Sequence, residues 1–285
     1  MSNPMMNPIG CNTLYPKGRL MQVRTEFILD AQCKAVQDLA DAGFTCCEYS
    51  HIEYLALEET AKLQKATAEA KIEPYSAHSW VGLAADQAES ERTMAALSPM
   101  LDKCAVLGVK LIVIHPGGHM LSHEGAAAHS RRMAGNLSVL RPLCERAAKI
   151  GVSIAVENCG AYEDLEFILE LIRVSNAKNA GFCIDTGHAK LYGVSPAEAI
   201  LKMGKRLLTT HLQDNFGRRD DHLPPGLGLI DWMSVFTALR QIGYVRPVMV
   251  EISDCPPNRE PEPQRELKIS YENVSKFMAA VGEAT

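Results

Sequence analysis

The chain has 285 residues, of which 47% are hydrophobic and 6% aromatic, and its formal net charge is −5 at pH 7. This apolar content is enough for the core of one large domain or of two ordinary ones. The acidic balance argues against non-specific binding to nucleic acid or to anionic membranes, so a small-molecule partner is expected.

Short β-type runs alternate with longer helical runs along the chain. The predicted strands are Met6–Cys11, Phe44–Tyr49, Ile72–His78, Lys110–His115, Val152–Glu157, Gly181–Asp185, Leu207–Gln213 and Pro247–Ile252. The predicted helices are Thr25–Ala42, Leu57–Ala70, Asp86–Leu107, Glu124–Ile150, Tyr162–Ser175, Ser195–Met203, Asp231–Ile242 and Glu262–Ala280. Several helices end at a glycine just before an apolar strand, as in the αβ loops of parallel barrels. The pattern predicts an α/β fold, a single (β/α)8 barrel, with an open doubly wound sheet as the alternative.

No segment has the composition of an interdomain linker. The only proline-rich stretch, Cys255–Pro263, lies between the last strand and the last helix, where a barrel places a loop over its mouth. We therefore assign residues 1–285 to one domain.

Nine cysteines are present, and none forms a C-x-x-C pair. Most lie in apolar runs, where a reduced thiol behaves as a small hydrophobic side chain. A reducing, cytoplasmic environment is expected. Met1–Gly10 has no signal-peptide pattern, and no run approaches the roughly 18 apolar residues of a membrane span, so we expect a soluble, unprocessed chain.

Six consecutive predicted strands end in, or carry, a residue able to bind a metal. These residues are His78, His115, Glu157, Asp185, His211 and Glu251. In a parallel barrel the carboxyl ends of the strands converge on the rim that holds the active site. Asp185 alone could instead cap the next helix, with His188 packed against it, but six residues in register favour one shared site.

The predicted ligands are carboxylates and imidazoles. Cys159 and Cys183 lie beside ligand residues and are expected to point elsewhere on their strands. A set of nitrogen and oxygen ligands suits Mn²⁺, Mg²⁺, Co²⁺ or Zn²⁺ and does not choose among them.

Four segments resemble the xylose isomerase-like TIM-barrel superfamily, and the resemblance covers the whole barrel. They are Val156–Asn158, Cys183–His188, His211–Asn215 and Asp220–Trp232. The superfamily includes sugar isomerases and epimerases, inosose-type dehydratases and the endonuclease IV family. The resemblance therefore implies a metal-dependent enzyme on a barrel scaffold.

In the sugar epimerase branch, the matching residues hold one divalent ion, for which Mn²⁺ is expected here. The implied metal ligands are Glu157, Asp185, His211 and Glu251. Glu157 and Glu251 would also be the acid/base pair that forms and collapses a metal-stabilised enediolate. The predicted substrate-binding residues are His188, His222, His115, His78, Arg218 and Trp80. The predicted substrate is a sugar or keto-sugar, and a homo-oligomer is compatible with the sequence.

Two other activities of the same superfamily remain alternatives. One is a metal-dependent dehydratase or lyase acting on a sugar or polyol. The other is an endonuclease IV-like phosphodiesterase with three zinc ions, for which the extra ligands would be His78, His115, His188, Asp220 and His222. Against the nuclease, the short segment His51–Tyr54 carries an acid where a DNA-binding loop would favour arginine.

Some further residues have weaker signals. Gly117 and Gly118 resemble a phosphate-binding turn, although a tight loop explains them as well. The adjacent Arg218 and Arg219 could contact an anionic substrate or simply be solvated. Trp80 could stack on a sugar face or close the barrel.

Overall fold

A computed structural model describes residues 7–13, 29–118, 125–160, 162–252 and 263–283. The strands are β1 Ile9–Asn12, β2 Cys46–Ser50, β3 Glu73–Ser79, β4 Leu111–Ile114, β5 Ser153–Glu157, β6 Ala180–Asp185, β7 Leu207–His211 and β8 Val248–Val250. The helices are α1 Leu29–Ala42, α2 Leu57–Glu69, α3 Ser90–Leu107, α4 Gly125–Lys149, α5 Tyr162–Ser175, α6 Thr186–Leu191, α7 Pro196–Met203, α8 Trp232–Gln241 and α9 Pro263–Glu283.

The eight strands form one parallel sheet in the order β7-β6-β5-β4-β3-β2-β1-β8. Because β1 pairs with β8 and Leu212, directly after β7, forms a parallel bridge with Val250 of β8, the sheet curves around on itself, and the (β/α)8 barrel predicted from the sequence is confirmed. The open doubly wound alternative is excluded by the same pairing. The assignment of all 285 residues to one domain stays a prediction.

The barrel closes between β7 and β8 through few hydrogen bonds. Leu212 N–H donates to Met249 O at 2.8 Å, and Glu251 N–H donates to Leu212 O at 3.1 Å. Next to this bridge, the Thr210 hydroxyl accepts from Met249 N–H at 2.8 Å and donates to Met249 O at 3.2 Å. At this junction of β7 and β8, which we call the seam, the Thr210 hydroxyl thus pairs with the backbone of Met249 where a regular strand pair would use another backbone group.

Alternation along the strands separates two apolar clusters. One lies between the sheet and the helices, and the other, smaller cluster fills the barrel interior. The interior cluster is Cys46, Tyr75, Leu111, Val113, Ala155, Cys183, Leu208 and Met249. A strand residue two positions after an inward-facing one also faces inward. Glu157, Asp185 and Glu251 follow Ala155, Cys183 and Met249 by two, which places their carboxylates at the mouth of the barrel.

Among the described residues, some details near the site differ from the sequence prediction. The Thr-Gly turn expected after β6 is the first turn of α6, a helix that the prediction did not include. β7 ends at His211 and β8 spans only Val248–Val250, so both strands are shorter than predicted.

The predicted loop Cys255–Pro263 and the start of the first predicted helix lie largely outside the described residues. Within the described ranges, no helix is long and apolar enough to cross a membrane.

The seam gives a matched pair of substitutions. We expect Thr210→Val to lower the free energy of unfolding by about 1–3 kcal/mol, because it leaves the buried N–H of Met249 without its partner. Thr209 is equally buried, and within the described chain its hydroxyl has no hydrogen-bond partner, so Thr209→Val should be neutral or stabilising. Urea denaturation measures both; equal losses would contradict this account of the seam.

Candidate active site

The six predicted strand-end residues come together at the carboxyl-terminal mouth of the barrel. Glu157, Asp185 and His211 are the last residues of β5, β6 and β7, and His115 and Glu251 directly follow β4 and β8. His78 is the penultimate residue of β3. Five of these six side chains are buried, and His115 is partly exposed.

Four of them form the tightest group. Donor atoms of Glu157, Asp185, His211 and Glu251 all lie within 4.8 Å of one another. His211 is central: its Nδ1 is 3.0 Å from Glu157 Oε2 and 3.2 Å from Glu251 Oε2. Glu251 Oε1 also accepts a hydrogen bond of 2.7 Å from Asn12 Nδ2. This is the set that the sequence resemblance implied as metal ligands.

The polar atoms of this group fit a divalent cation. Within the described chain, neither oxygen of Glu157 and neither ring nitrogen of His211 has a hydrogen bond of good geometry, although both side chains are fully buried. Buried polar atoms without hydrogen bonds are costly. Carboxylate oxygens and one imidazole nitrogen are a donor set that Mn²⁺, Mg²⁺, Co²⁺ and Zn²⁺ accept.

A second group of donors combines His188 with the segment after β7. Asp220 Oδ2 is 3.2 Å from His188 Nε2 and 2.9 Å from His222 Nε2. His188 Nδ1 lies 3.1 Å from Glu157 Oε1, so the group adjoins the first one. Asp185 accepts from His188 N–H at 2.6 Å through Oδ1 and so caps α6. The sequence left capping and metal binding as alternatives for Asp185, and its two oxygens are placed for both.

A third group lies on the other side of Glu157. His78 Nε2 and His115 Nε2 are each 3.5 Å from Glu157 Oε2 and 3.3 Å from each other. His78 Nδ1 is 3.4 Å from Glu251 Oε1. The nine residues of the larger predicted ligand set therefore lie in three adjoining groups around the mouth of the barrel.

Asp214 organises the loop that carries Asp220 and His222. Its buried carboxylate accepts hydrogen bonds from Gly226 N–H, Ile230 N–H and the Trp232 indole N–H at 2.8–3.1 Å. The backbone of Asp214 also pairs in both directions with Leu223. These bonds turn the loop back over the barrel.

Gln213 ties this loop to α6. Its Nε2 donates to Asp220 Oδ1 at 2.7 Å and lies 3.4 Å from Asp185 Oδ2. Gly187 permits this contact, because a Cβ there would lie 2.1 Å from the Gln213 amide carbon. The glycine of the Thr-Gly-His motif is thus explained by close packing beside the site.

The donor groups border a cavity of about 220 Å³. Its lining residues are His51, His78, Trp80, His115, Glu157, His188, Asp220, His222 and Glu251. Trp80, predicted to contact substrate, forms part of the wall edge-on to His51, with the ring centroids 4.5 Å apart. Arg218 is exposed and is not among these lining residues, so its contact with a substrate stays a prediction.

The sequence analysis did not identify two side chains at the site, one glutamate and one histidine. Glu48 is fully buried, with Oε1 2.8 Å from His211 Nε2. His51 lines the cavity in a left-handed conformation with φ 57°. The available signal for Glu48 was an ionisable residue within a strand whose neighbours are apolar; for His51, only the tertiary structure brings the ring to the cavity.

The expectation for Cys183 was wrong. Its sulfur lies within 4.8 Å of donor atoms of Glu157 and His211 and belongs to the barrel interior. The reason is strand periodicity: Cys183 and Asp185 are two residues apart on β6 and therefore face the same way. Burial raises the pKa of the Cys183 thiol well above its usual value, so the side chain is a neutral thiol near neutral pH.

Protons balance the buried charges. Burial by itself would raise the pKa values of Glu157 and Glu251, but the charge of His211 outweighs it and holds both well below their usual range. Burial, reinforced by neighbouring carboxylates and partly offset by His188, raises the pKa of Asp185 to about 7. For His211 and His188 burial would lower the pKa, and the surrounding carboxylates raise it well above the usual value. A divalent cation would compete with these protons, because its ligands must be deprotonated.

The sequence profile of the xylose isomerase-like TIM-barrel family matches residues 36–272. The chain belongs to this family. The resemblance noted in the sequence is thereby confirmed.

Relatives of this xylose isomerase-like barrel carry different functional names. An inosose isomerase of Bacillus licheniformis is 29% identical over 163 residues, 54% of this chain and 57% of the relative. A probable endonuclease 4 of Oleidesulfovibrio alaskensis is 28% identical over 169 residues, 51% of this chain and 55% of the relative. The chain thus matches little more than half the length of these curated relatives.

Solved structures of the same fold cover nearly the whole barrel. The structure of an L-ribulose 3-epimerase superposes with a TM-score of 0.77 over 97% of this chain and 96% of that chain, at 17% identity. Identity this low supports the shared fold and leaves the activity to be argued from the site.

The His222–Asp220 pair predicts a pH-dependent stability of the chelator-treated protein. Burial would lower the pKa of His222, but the charge of Asp220 outweighs it and raises the pKa to about 9. The stabilisation from a raised histidine pKa is complete below the unfolded value of about 6.5 and is lost as pH rises through the folded value.

We therefore expect His222→Asn to cost about 1–3 kcal/mol of unfolding free energy near pH 6 and little near pH 10. His129→Asn is the matched control, because His129 forms a half-exposed pair with Glu170, worth less than about 1 kcal/mol. Denaturant melts of the three proteins at both pH values make the comparison. A His222→Asn cost that grows with pH would refute the assigned ion pair.

Proposed function

We propose that this protein is a divalent-metal-dependent isomerase or epimerase of a small sugar or keto-sugar. The observation that carries the proposal is the placement of two glutamates from separate strands. Glu157 and Glu251 both line the cavity, and both approach the same nitrogen of His211. Two carboxylates beside a cation site are what proton transfer at the carbon next to a carbonyl requires.

Glu157, Asp185, His211 and Glu251 would hold the ion. A bound divalent cation supplies Lewis acidity, which makes the C–H bond beside a substrate carbonyl more acidic and stabilises the negative charge of the enediolate. Mn²⁺ is the ion we expect, and Mg²⁺, Co²⁺ and Zn²⁺ suit the same donors.

The two glutamates would share the proton transfer. One carboxylate removes the proton from one face of the sugar, and the other returns a proton to the opposite face or to the neighbouring carbon. The first outcome is epimerisation and the second is isomerisation. Since β5 and β8 lie apart on the barrel rim, the glutamates approach the cavity from different sides.

The cavity walls would orient the substrate. His188 and His222 line it next to Asp220, and their imidazole groups can hydrogen-bond sugar hydroxyls. His78 and His115 would contact the substrate from the opposite side of Glu157, and Trp80 offers an apolar ring face. The names of the relatives, an inosose isomerase and an L-ribulose 3-epimerase, support a small polyhydroxylated substrate.

A specific observation favours one other candidate function. Three of the donor groups adjoin one another, namely His78 with His115 and Glu157, the central four, and His188 with Asp220 and His222. Three ions held side by side would suit phosphodiester hydrolysis, and a probable endonuclease 4 is among the relatives. A dehydratase or lyase of a sugar or polyol would use the same central group.

Counting ions separates these candidates. We expect protein purified without chelator to contain one equivalent of divalent metal by elemental analysis, because the central group has the most carboxylate charge. Asp185→Asn should lose most of that metal, whereas the surface substitution Glu166→Gln should keep it. Close to three zinc ions per chain, together with cleavage of an abasic-site duplex, would replace the isomerase proposal by the nuclease.

The glutamate roles predict a second measurement. With saturating metal, Glu157→Gln and Glu251→Gln should each lower turnover by about 10²–10⁴-fold, the usual effect of losing a general acid or base. Solvent deuterium should enter a sugar carbon of the wild-type product without loss of water, which distinguishes isomerisation from dehydration. Near-normal turnover of both variants, or a product that never takes up deuterium, would rule out this scheme.

A further inference from the structure

Glu48 is a buried carboxylate that the proposed reaction does not use. It lies on β2, and its side chain is fully buried. β2 and β7 are separated by β1 and β8 along one arc of the barrel and by four strands along the other, so the contact between Glu48 and His211 spans the barrel interior. Glu48 is not among the residues that line the cavity, whereas Glu157 and Glu251 are.

Both oxygens of Glu48 have neighbours within hydrogen-bond range. Oε1 lies 2.8 Å from His211 Nε2, and Oε2 accepts a hydrogen bond of 2.6 Å from the Ser76 hydroxyl. Ser76 is itself buried on the adjacent strand β3. Oε2 is therefore held by a hydrogen bond, and Oε1 is directed at a single nitrogen of the imidazole.

The two nitrogens of His211 have different surroundings. Nε2 faces Glu48, and Nδ1 faces the oxygens of Glu157 and Glu251. A carboxylate beside Nε2 favours the neutral tautomer with its hydrogen on Nε2, which leaves the lone pair on Nδ1 directed at the central donor group.

We infer that Glu48 is a positioning residue for the metal site. It fixes the tautomer and the ring orientation of His211, and its negative charge strengthens the imidazole as a ligand. A carboxylate partner on the second nitrogen of a ligating histidine commonly contributes about 10–100-fold in metal affinity. Ser76 supports the arrangement by holding the other Glu48 oxygen.

One competing role is direct ligation. Donor atoms of Glu48, His78, His211 and Glu251 also lie within 4.8 Å of one another. Against direct ligation, a cation bound by Glu48 would have to displace Ser76 or His211 from its oxygens. The inference concerns cation affinity and uses only the metal-binding part of the proposed function, so it holds whichever reaction the site performs.

The experiment measures Mn²⁺ affinity of the full chain by competition with a fluorescent chelator. Glu48→Gln keeps the shape of the side chain and removes its charge, and we expect the dissociation constant to rise about 10–100-fold. Glu73→Gln is the matched control, since Glu73 is an exposed acid at the start of β3, and should change it less than about twofold. The visible spectrum of bound Co²⁺ should be the same in wild type and Glu48→Gln, because the atoms that touch the ion are unchanged.

Three results would overturn the inference. The first is a Glu48→Gln protein that binds Mn²⁺ as tightly as wild type. The second is a Co²⁺ spectrum altered by Glu48→Gln, which would make Glu48 a ligand. If Glu48→Gln does not fold, Ser76→Ala is measured in its place, and its affinity for Mn²⁺ should fall by roughly 3–10-fold. The third overturning result is a Ser76→Ala protein that binds Mn²⁺ as tightly as wild type. None of these measurements uses sugar turnover. A failure of the proposed reaction can therefore be distinguished from a failure of the inference about Glu48.

Discussion

The mouth of this barrel concentrates negative charge where water is scarce. Glu48, Glu157, Asp185 and Glu251 are all buried within a few ångströms of His211. Removing each carboxylate from water costs several kcal/mol unless an opposite charge or good hydrogen bonds offset that cost. Imidazolium groups can balance these charges, and so can a divalent cation. The architecture around the site holds charges together that would otherwise repel.

The barrel provides the rigidity that this arrangement demands. Strand alternation aligns the carboxylates of β5, β6 and β8 above an interior filled with side chains such as Ala155, Cys183 and Met249. Asp214 gathers the loop after β7 and returns Asp220 and His222 to the mouth. Sites that bind or catalyse need their groups held to fractions of an ångström, which elements of a packed scaffold achieve better than free loops.

The same donors are compatible with more than one chemistry. A proton shuttle needs one ion and two carboxylates that each keep an oxygen available for the proton, whereas phosphodiester cleavage uses several ions to stabilise attacking and leaving oxygens. Glu157 belongs both to the central group and to the group with His78 and His115, and it lies 3.1 Å from His188, which is grouped with Asp220 and His222. The number of ions that share this carboxylate therefore determines whether it can still act as a base. Relatives named as isomerases and as endonucleases are consistent with function residing in such a site and not in the fold.

The sequence by itself determined the β/α alternation, the barrel and the six polar residues at the strand ends, because strand and helix periodicities are local properties. It also determined the family, through short motifs such as Cys183–His188. It did not determine which side chains share a face with the site. The sequence predicted that Cys183 points away from the ligand residues, but Cys183 and Asp185 are two residues apart on β6 and both face the barrel interior. Only the tertiary structure revealed the contacts of Glu48, His51 and Thr210, since each depends on strands distant in sequence. Glu48 on β2 meets His211 on β7 only because the sheet closes into a barrel, and closure is a property of all eight strands together.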